Sequence, residues 1–150
     1  MIKNVLIKIS GDVSSNLEVL DFIKRKSEDN YTVVVCGAGT KIGEVLKAKG
    51  YEINFDKHGR MTESFEERKI IRDILEEEQM RLQDELVGVG VNVVVPIIQI
   101  AGVLCHINGD AYVKAGYLGF DEIYVFTLRD RVEKKKKYFS GFEKVEILGL

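Results

Sequence analysis

The feature that most constrains this chain is Val33-Val34-Val35-Cys36-Gly37-Ala38-Gly39-Thr40-Lys41-Ile42-Gly43. A β-branched apolar run stops at a glycine turn, and a helical pattern follows at once. β-Branched residues suit a strand, and glycines open backbone angles closed to residues with a Cβ. A helix starting there points free N–H groups and the positive end of its dipole over the turn. That arrangement favours an anion, phosphate above all. A second apolar strand, Val5-Leu6-Ile7-Lys8-Ile9, runs into Ser10-Gly11-Asp12 in the same way. Two such turns and one strand-borne lysine predict one phosphate pocket built from both.

The rest of the chain repeats the strand–helix alternation. Strands are expected over 3–9, 31–36, 93–98, 122–127 and 144–148. Helices are expected over 16–28, 40–49, 64–87 and 111–118, with a short helix or arm from Leu128 to Tyr138. Leu17, Leu20, Phe22 and Ile23 would form the inner face of the first helix, capped by Ser14 or Ser15. Gly50 would close the second helix. Ser64-Phe65-Glu66-Glu67 fits a capping box, and Ile71, Leu75, Leu82 and Leu86 make the apolar stripe that follows. From Glu63 to Glu85 there are nine acidic and four basic side chains, which reads as a solvated face. Residues 51–63 are irregular and lie between helices, where loops hold substrates. Pro96 would end the third strand, and the apolar stretch Gly102 to Ile107 would add a strand or half a hairpin. This order predicts an α/β protein, a three-layer αβα sandwich with a mainly parallel central sheet.

The 150 residues fit one domain, 1–150, large enough to bury a core. A net charge of −2 gives no basic field to recruit nucleic acid. No run approaches the ~20 apolar residues of a membrane span. Met1-Ile2-Lys3-Asn4 leads directly into a strand without a signal peptide, so the expected location is cytoplasmic. Cys36 and Cys105 read as buried thiols rather than a disulfide. His58 reads as an exposed loop residue and His106 as a core histidine. No Cys/His cluster predicts a structural metal.

Several segments, in this order, resemble the amino-acid kinase family, which includes the acetylglutamate, aspartate, carbamate and uridylate kinases. Lys8-Ile9-Ser10-Gly11 is similar to its opening strand and glycine turn, and Val35-Cys36-Gly37-Ala38-Gly39 to its second turn. Gly59-Arg60-Met61-Thr62 resembles the Gly-x-Arg-x-Thr stretch of acetylglutamate kinases. Asn108-Gly109-Asp110-Ala111 resembles the Asn-Ala-Asp segment, and Ile123-Tyr124-Val125-Phe126-Thr127 the strand after it. The matches span about residues 3–132.

The resemblance implies phosphoryl transfer from ATP, with Mg2+, to a carboxylate or related oxyanion. Lys8 would lie along the transferred phosphate, and Asp110 would orient Lys8 rather than act as a base. Gly11, Gly37 and Gly39 would donate backbone N–H groups to phosphate oxygens. Arg60 would clamp a substrate carboxylate and Asn108 would contact the substrate's main-chain-like groups. The expected partners are a small anionic substrate or phosphate ligand and further copies of the chain, as a homodimer or larger homo-oligomer. Each residue also has a plainer reading: Lys8 as a salt-bridged strand residue, Asp110 or Asn108 as a helix cap, Arg60 as a loop cation.

The sequence also departs from the family. Only some 40 residues follow Asp110, where the kinases carry a nucleotide-binding half with a second lysine. Their Thr-Asp-x-Asp-Gly pattern becomes Thr127-Leu128-Arg129-Asp130-Arg131. Lys134 to Lys137 reads as a solvated basic arm. The alternative to an active kinase is therefore a noncatalytic regulatory or scaffolding subunit that keeps the fold.

Overall fold

The computed structural model describes residues 1–57, 59–94, 96–100 and 103–150, with 97–100 and 103–106 described for their backbone only. The expectations for His58 and Gly102, and for the side chains of Cys105 and His106, lie outside the described residues. The elements run β1 (Asn4–Ile9), α1 (Leu17–Asp29), β2 (Tyr31–Cys36), α2 (Gly39–Ala48), β3 (Phe55–Asp56), β4 (Gly59–Arg60) and α3 (Phe65–Glu85). They continue β5 (Asn92–Val94), β6 (Ile97–Ile100), β7 (Val103–His106), α4 (Gly109–Gly116), β8 (Glu122–Thr127), α5 (Val132–Tyr138) and β9 (Val145–Gly149).

Five strands form one sheet in the order β5-β2-β1-β8-β9, and each paired neighbour is parallel. The chain walks outward from β1 through β2 to β5, then restarts on the other side of β1. The order therefore reverses at β1, and ligands of open α/β sheets bind at the carboxyl ends of strands beside such a reversal.

Both faces of β1 are covered, which is why it reads as a nearly unbroken apolar run. Val5, Ile7 and Ile9 pack with Val19 and Ile23 of α1 and with Leu82 of α3. Leu6 goes the other way, packing with Val113 of α4, Val125 and Phe139. These two helix layers and the sheet make the three-layer sandwich. Strand periodicity puts Lys8 on the Leu6 side, towards α4. A third cluster joins Ile42 and Leu46 of α2 to Ile71, Ile74 and Leu75 of α3.

Local chemistry sets the boundaries. Asn16 caps α1, its Oδ1 accepting the Glu18 N–H at 2.8 Å, in place of the expected Ser14 or Ser15. Leu17 is 74% exposed rather than on the inner face. It stands two residues before buried Val19, about 200° around the helix. Ser64 and Glu67 complete the capping box of α3. The strand expected over 93–98 is split: β5 ends at Val94, and Ile97 begins an antiparallel pair with β7. Residues 51–63, expected to be irregular, contain the short β3–β4 ladder, in which Phe55 stands opposite Arg60. No helix among the described residues is long and apolar enough to cross a membrane.

Candidate functional site

Lys8 is the second-last residue of β1, and Asp110 sits in the first turn of α4. Their ion pair, Nζ to Oδ1, spans 3.3 Å, with 8% and 9% of the two side chains exposed. Asn108 caps α4, its Oδ1 accepting the N–H groups of Asp110 at 2.9 Å and Ala111 at 3.3 Å. The helix dipole then favours the carboxylate in that turn. Gly109 gives Lys8 its path, because a Cβ there would lie 3.0 Å from Lys8 Cε. The Lys8 contact is close but poorly aligned, and Oδ1 of Asp110 has no directed hydrogen bond among the described residues. Lys8 therefore keeps N–H donors that can turn to a ligand.

Asp110 has a second cation. Lys135 of α5 donates through Nζ to its Oδ2, in a very short contact. Burial pushes the Asp110 carboxyl up, but Lys8 and Lys135 together outweigh it and hold the group below its ordinary value. Burial dominates at Lys8 and pulls its ammonium below the ordinary value, with Asp110 opposing. In the sequence Lys135 reads as part of a solvated arm. The signal that finds it is spacing: Val132, Lys135 and Phe139 recur at i, i+3, i+7, while Lys134, Lys136 and Lys137 are exposed. A second rung seats the same helix. Nζ of Lys114, one turn along α4 from Asp110, lies 3.7 Å from the Tyr138 ring centroid and 4.9 Å from that of Phe142.

The two glycine turns touch. A Cβ on Gly11 would meet the Gly37 carbonyl oxygen at 2.6 Å and Ala38 Cα at 3.0 Å. The Gly37 N–H already donates to the Ile9 carbonyl at 3.0 Å, so it is not free for a phosphate oxygen. Gly37 can serve the site only by leaving room. Gly39 is different. It opens α2, and a Cβ there would meet nothing within 4 Å. Ala38 precedes it without a side-chain cap, so the first-turn N–H groups of α2 have no side-chain acceptor at that position.

Arg60 lies beside this helix start. Its Nη2 donates to the Gly39 carbonyl at 2.9 Å, and its guanidinium stacks 4.8 Å from the Phe55 ring centroid. Its Nη1 is buried with no hydrogen-bond partner among the described residues. Buried donors of that kind are normally satisfied, so an acceptor from outside the chain fits here. Arg131 also borders the cleft, paired with Asp12 at 2.9 Å.

All seven sequence-derived residues, Lys8, Gly11, Gly37, Gly39, Arg60, Asn108 and Asp110, line one cleft of about 760 Å3. Lys135 lines it too. Among the described residues, no group of three or more His, Cys, Asp or Glu side chains is placed to hold a metal ion. A smaller cleft of about 490 Å3 lies on the far side of the turns, and its Lys41 and Arg81 are already paired with glutamates.

No protein-family model matches the chain, and no curated protein sequence matches it. Solved structures do share its backbone. The protein smu.665 from Streptococcus mutans UA159 superposes with a TM-score of 0.71 at 14% identity, over 98% of this chain and 95% of that one. N-acetylglutamate synthase from Neisseria gonorrhoeae, complexed with coenzyme A and L-arginine, gives 0.63 at 10% identity, over 98% and 56%. The same synthase with coenzyme A and N-acetyl-glutamate gives 0.61 at 11%, over 98% and 54%. The chain thus spans about half the length of the synthase chains. At these identities the likeness establishes the fold. The likeness carries the architecture and not an activity.

Proposed function

We propose that the cleft binds a small phosphate- or carboxylate-bearing ligand and serves phosphoryl transfer from ATP to a carboxylate-type oxyanion. The supporting observation is the cluster of Lys8, Asp110 and Lys135 at the carboxyl end of β1, beside two touching glycine turns and the unsatisfied donor of Arg60.

In this reading the acceptor oxygen forms a bond to the transferring phosphorus, and the bond to the leaving oxygen breaks with its electron pair. A carboxylate acceptor has no proton to lose, so no general base is needed. Asp110, its carboxyl held below the ordinary value, aims the Lys8 and Lys135 side chains, and they offset charge on the equatorial oxygens. Arg60 takes the acceptor's carboxylate through Nη1. The first turn of α2 offers N–H groups to phosphate. ATP supplies the phosphoryl group, and Mg2+ would come with it, held by phosphates and water.

The test is a thermal-shift screen with ATP and Mg2+, ADP, phosphate, carbamoyl phosphate and acidic amino acids, followed by trapping of any acyl phosphate with hydroxylamine. A ligand at 100 times its Kd stabilises the fold by about 2.7 kcal/mol. Lys8→Met is expected to abolish both the shift and the hydroxamate. If no anion in the panel shifts the melting temperature, the reading fails. The committed amide of Gly37 favours a second reading, a noncatalytic regulatory or scaffolding subunit. Binding of the same anions without hydroxamate would select it.

A further inference from the structure

The cleft lining is of two kinds. Lys8, Lys135 and Arg60 are cationic. Beside Arg60, Phe55 and Met61 from the β3–β4 segment add apolar surface, next to the polar Asp56, Thr62 and Arg68, while Ile42, Ile71 and Leu75 reach the cleft from the buried α2–α3 cluster. Phe55 is 62% exposed and Met61 51% exposed. A phenylalanine and a methionine left that open within a concave site mark a surface that a ligand covers. The two kinds of surface meet at Arg60, whose guanidinium lies against the Phe55 ring while its Nη1 lacks a hydrogen-bond partner among the described residues. An anionic group held by Arg60 therefore has its next atoms beside Phe55.

We infer that the ligand selected by this cleft is amphipathic: a small phosphate or carboxylate with an apolar group a few carbons long, or a flat ring, that covers Phe55 and Met61. The inference rests on the anion-site reading above and adds the class of ligand. A bare phosphate or a fully polar acid meets only the cationic groups. It leaves Phe55 and Met61 wet, so it is the poorer ligand.

The experiment is calorimetric titration of the whole chain with inorganic phosphate, then methyl, ethyl, propyl and butyl phosphate, then phenyl phosphate. All are used at concentrations where none forms micelles. Affinity is expected to rise by up to about fourfold per methylene, the factor for complete burial of each group. n-Butanol and butylammonium are expected not to bind. In Phe55→Ala and Met61→Ala the slope of log affinity against chain length is expected to fall, whatever happens to the phosphate value itself. A flat series with phosphate still binding overturns this inference and leaves the anion site standing. An unchanged slope in both variants, or equal binding of n-butanol, overturns it too. Failure of phosphate and all its esters to bind removes both readings.

Discussion

Asp110→Asn is the sharpest perturbation of the site, because it leaves two ammonium groups facing an amide. Lys8 is 8% exposed and Lys135 19% exposed at the side chain, so neither can fully regain water without moving the helices. Removing one partner of a buried ion pair costs about 3–5 kcal/mol. Loss of the carboxylate from the first turn of α4 adds about 0.5 kcal/mol. Lys135, the more exposed cation, can swing out and recover part of this. The expected loss is therefore about 3 kcal/mol at pH 7, a large share of the 5–15 kcal/mol typical of a domain. Lys8→Met should behave differently. It removes the costly ammonium, keeps most of the stem's volume, and leaves Asp110 paired with Lys135, so its effect should stay within about 1 kcal/mol. The double variant should recover about 2 kcal/mol relative to Asp110→Asn alone. Urea denaturation followed by circular dichroism reads all three, which suits a chain without tryptophan. A loss below 1 kcal/mol in Asp110→Asn, or strict additivity in the double variant, refutes the coupling.

The same variant has a pH signature. Lys8 binds its proton less tightly in the fold than at the ordinary 10.5 of the unfolded chain, because burial disfavours the ammonium. Without Asp110 that depression deepens. Between the lowered folded value and 10.5 the unfolded chain holds more protons, so stability rises with pH by up to about 1.4 kcal/mol per unit. The deficit of Asp110→Asn against the parent should therefore shrink as the pH approaches 10. A deficit that is flat or growing over that interval means that Lys8 keeps its proton, and the assignment of burial as the dominant influence fails.

Gly11→Ala drives a Cβ onto backbone atoms of the second turn, at 2.6 Å and 3.0 Å, and should lower stability by about 1–3 kcal/mol, whereas Gly39→Ala should be neutral or better; parallel thermal melts decide. Glu122 receives bonds from Lys26, Lys3 and Tyr124, which pull its carboxyl from 4.5 to about 2. That stability is complete above pH 4.5 and disappears as pH falls towards 2, and Glu122→Gln should erase about 1–2 kcal/mol of the acid-limb slope after allowance for solvent. Burial and then Glu78 push the Cys36 thiol up to about 11, so iodoacetamide at pH 8 should leave the Cys36 peptide unmodified in the native chain and modify it in urea, as read by mass spectrometry. Lys114→Met should loosen α5 and release Lys135, raising the carboxyl pKa of Asp110 as Lys135→Met does, with no further rise in the double variant. Carbon-detected NMR of the carboxylate reports this, and an Asp110 titration unmoved by Lys114→Met refutes the seating role.

Much of this architecture was legible because it is local. β2 and α2 are announced by a β-branched run, a glycine turn and a helical stripe, and both lie within a residue or so of their expected bounds. Lys8 could be placed near a glycine turn from strand order alone, since parallel strands bring their carboxyl ends together. What sequence could not give is contact between segments far apart in the chain. The Lys135 tie to Asp110 bridges 25 residues and depends on how α5 docks on α4. The Gly37 amide looked free because a glycine turn advertises donors, whereas the Ile9 carbonyl that takes this one comes from the neighbouring strand. Phe55 and Met61 were hidden for a local reason: they lie within five residues of Arg60, but the two-residue strands β3 and β4 are too short to show a period-2 pattern, so both read as loop residues.

The energetics of the cluster bear on why such a site exists at all. A buried ion pair contributes little net stability, and apolar side chains of equal volume usually serve a core as well or better. The Leu6 face of β1 is otherwise apolar, with Val113 and Val125 packed around it. A methionine at position 8 and a small apolar residue at position 110 would continue that packing without any desolvated charge. Stability therefore gives no reason for Lys8 and Asp110, whereas charge presented at the edge of a cleft does. The thermodynamic and binding experiments consequently predict opposite outcomes for one substitution: Lys8→Met is nearly silent in unfolding and severe in anion binding. A Lys8→Met chain that unfolds about 3 kcal/mol too easily, yet still binds phosphate with parental affinity, would make the pair a structural prop and take the proposed function with it.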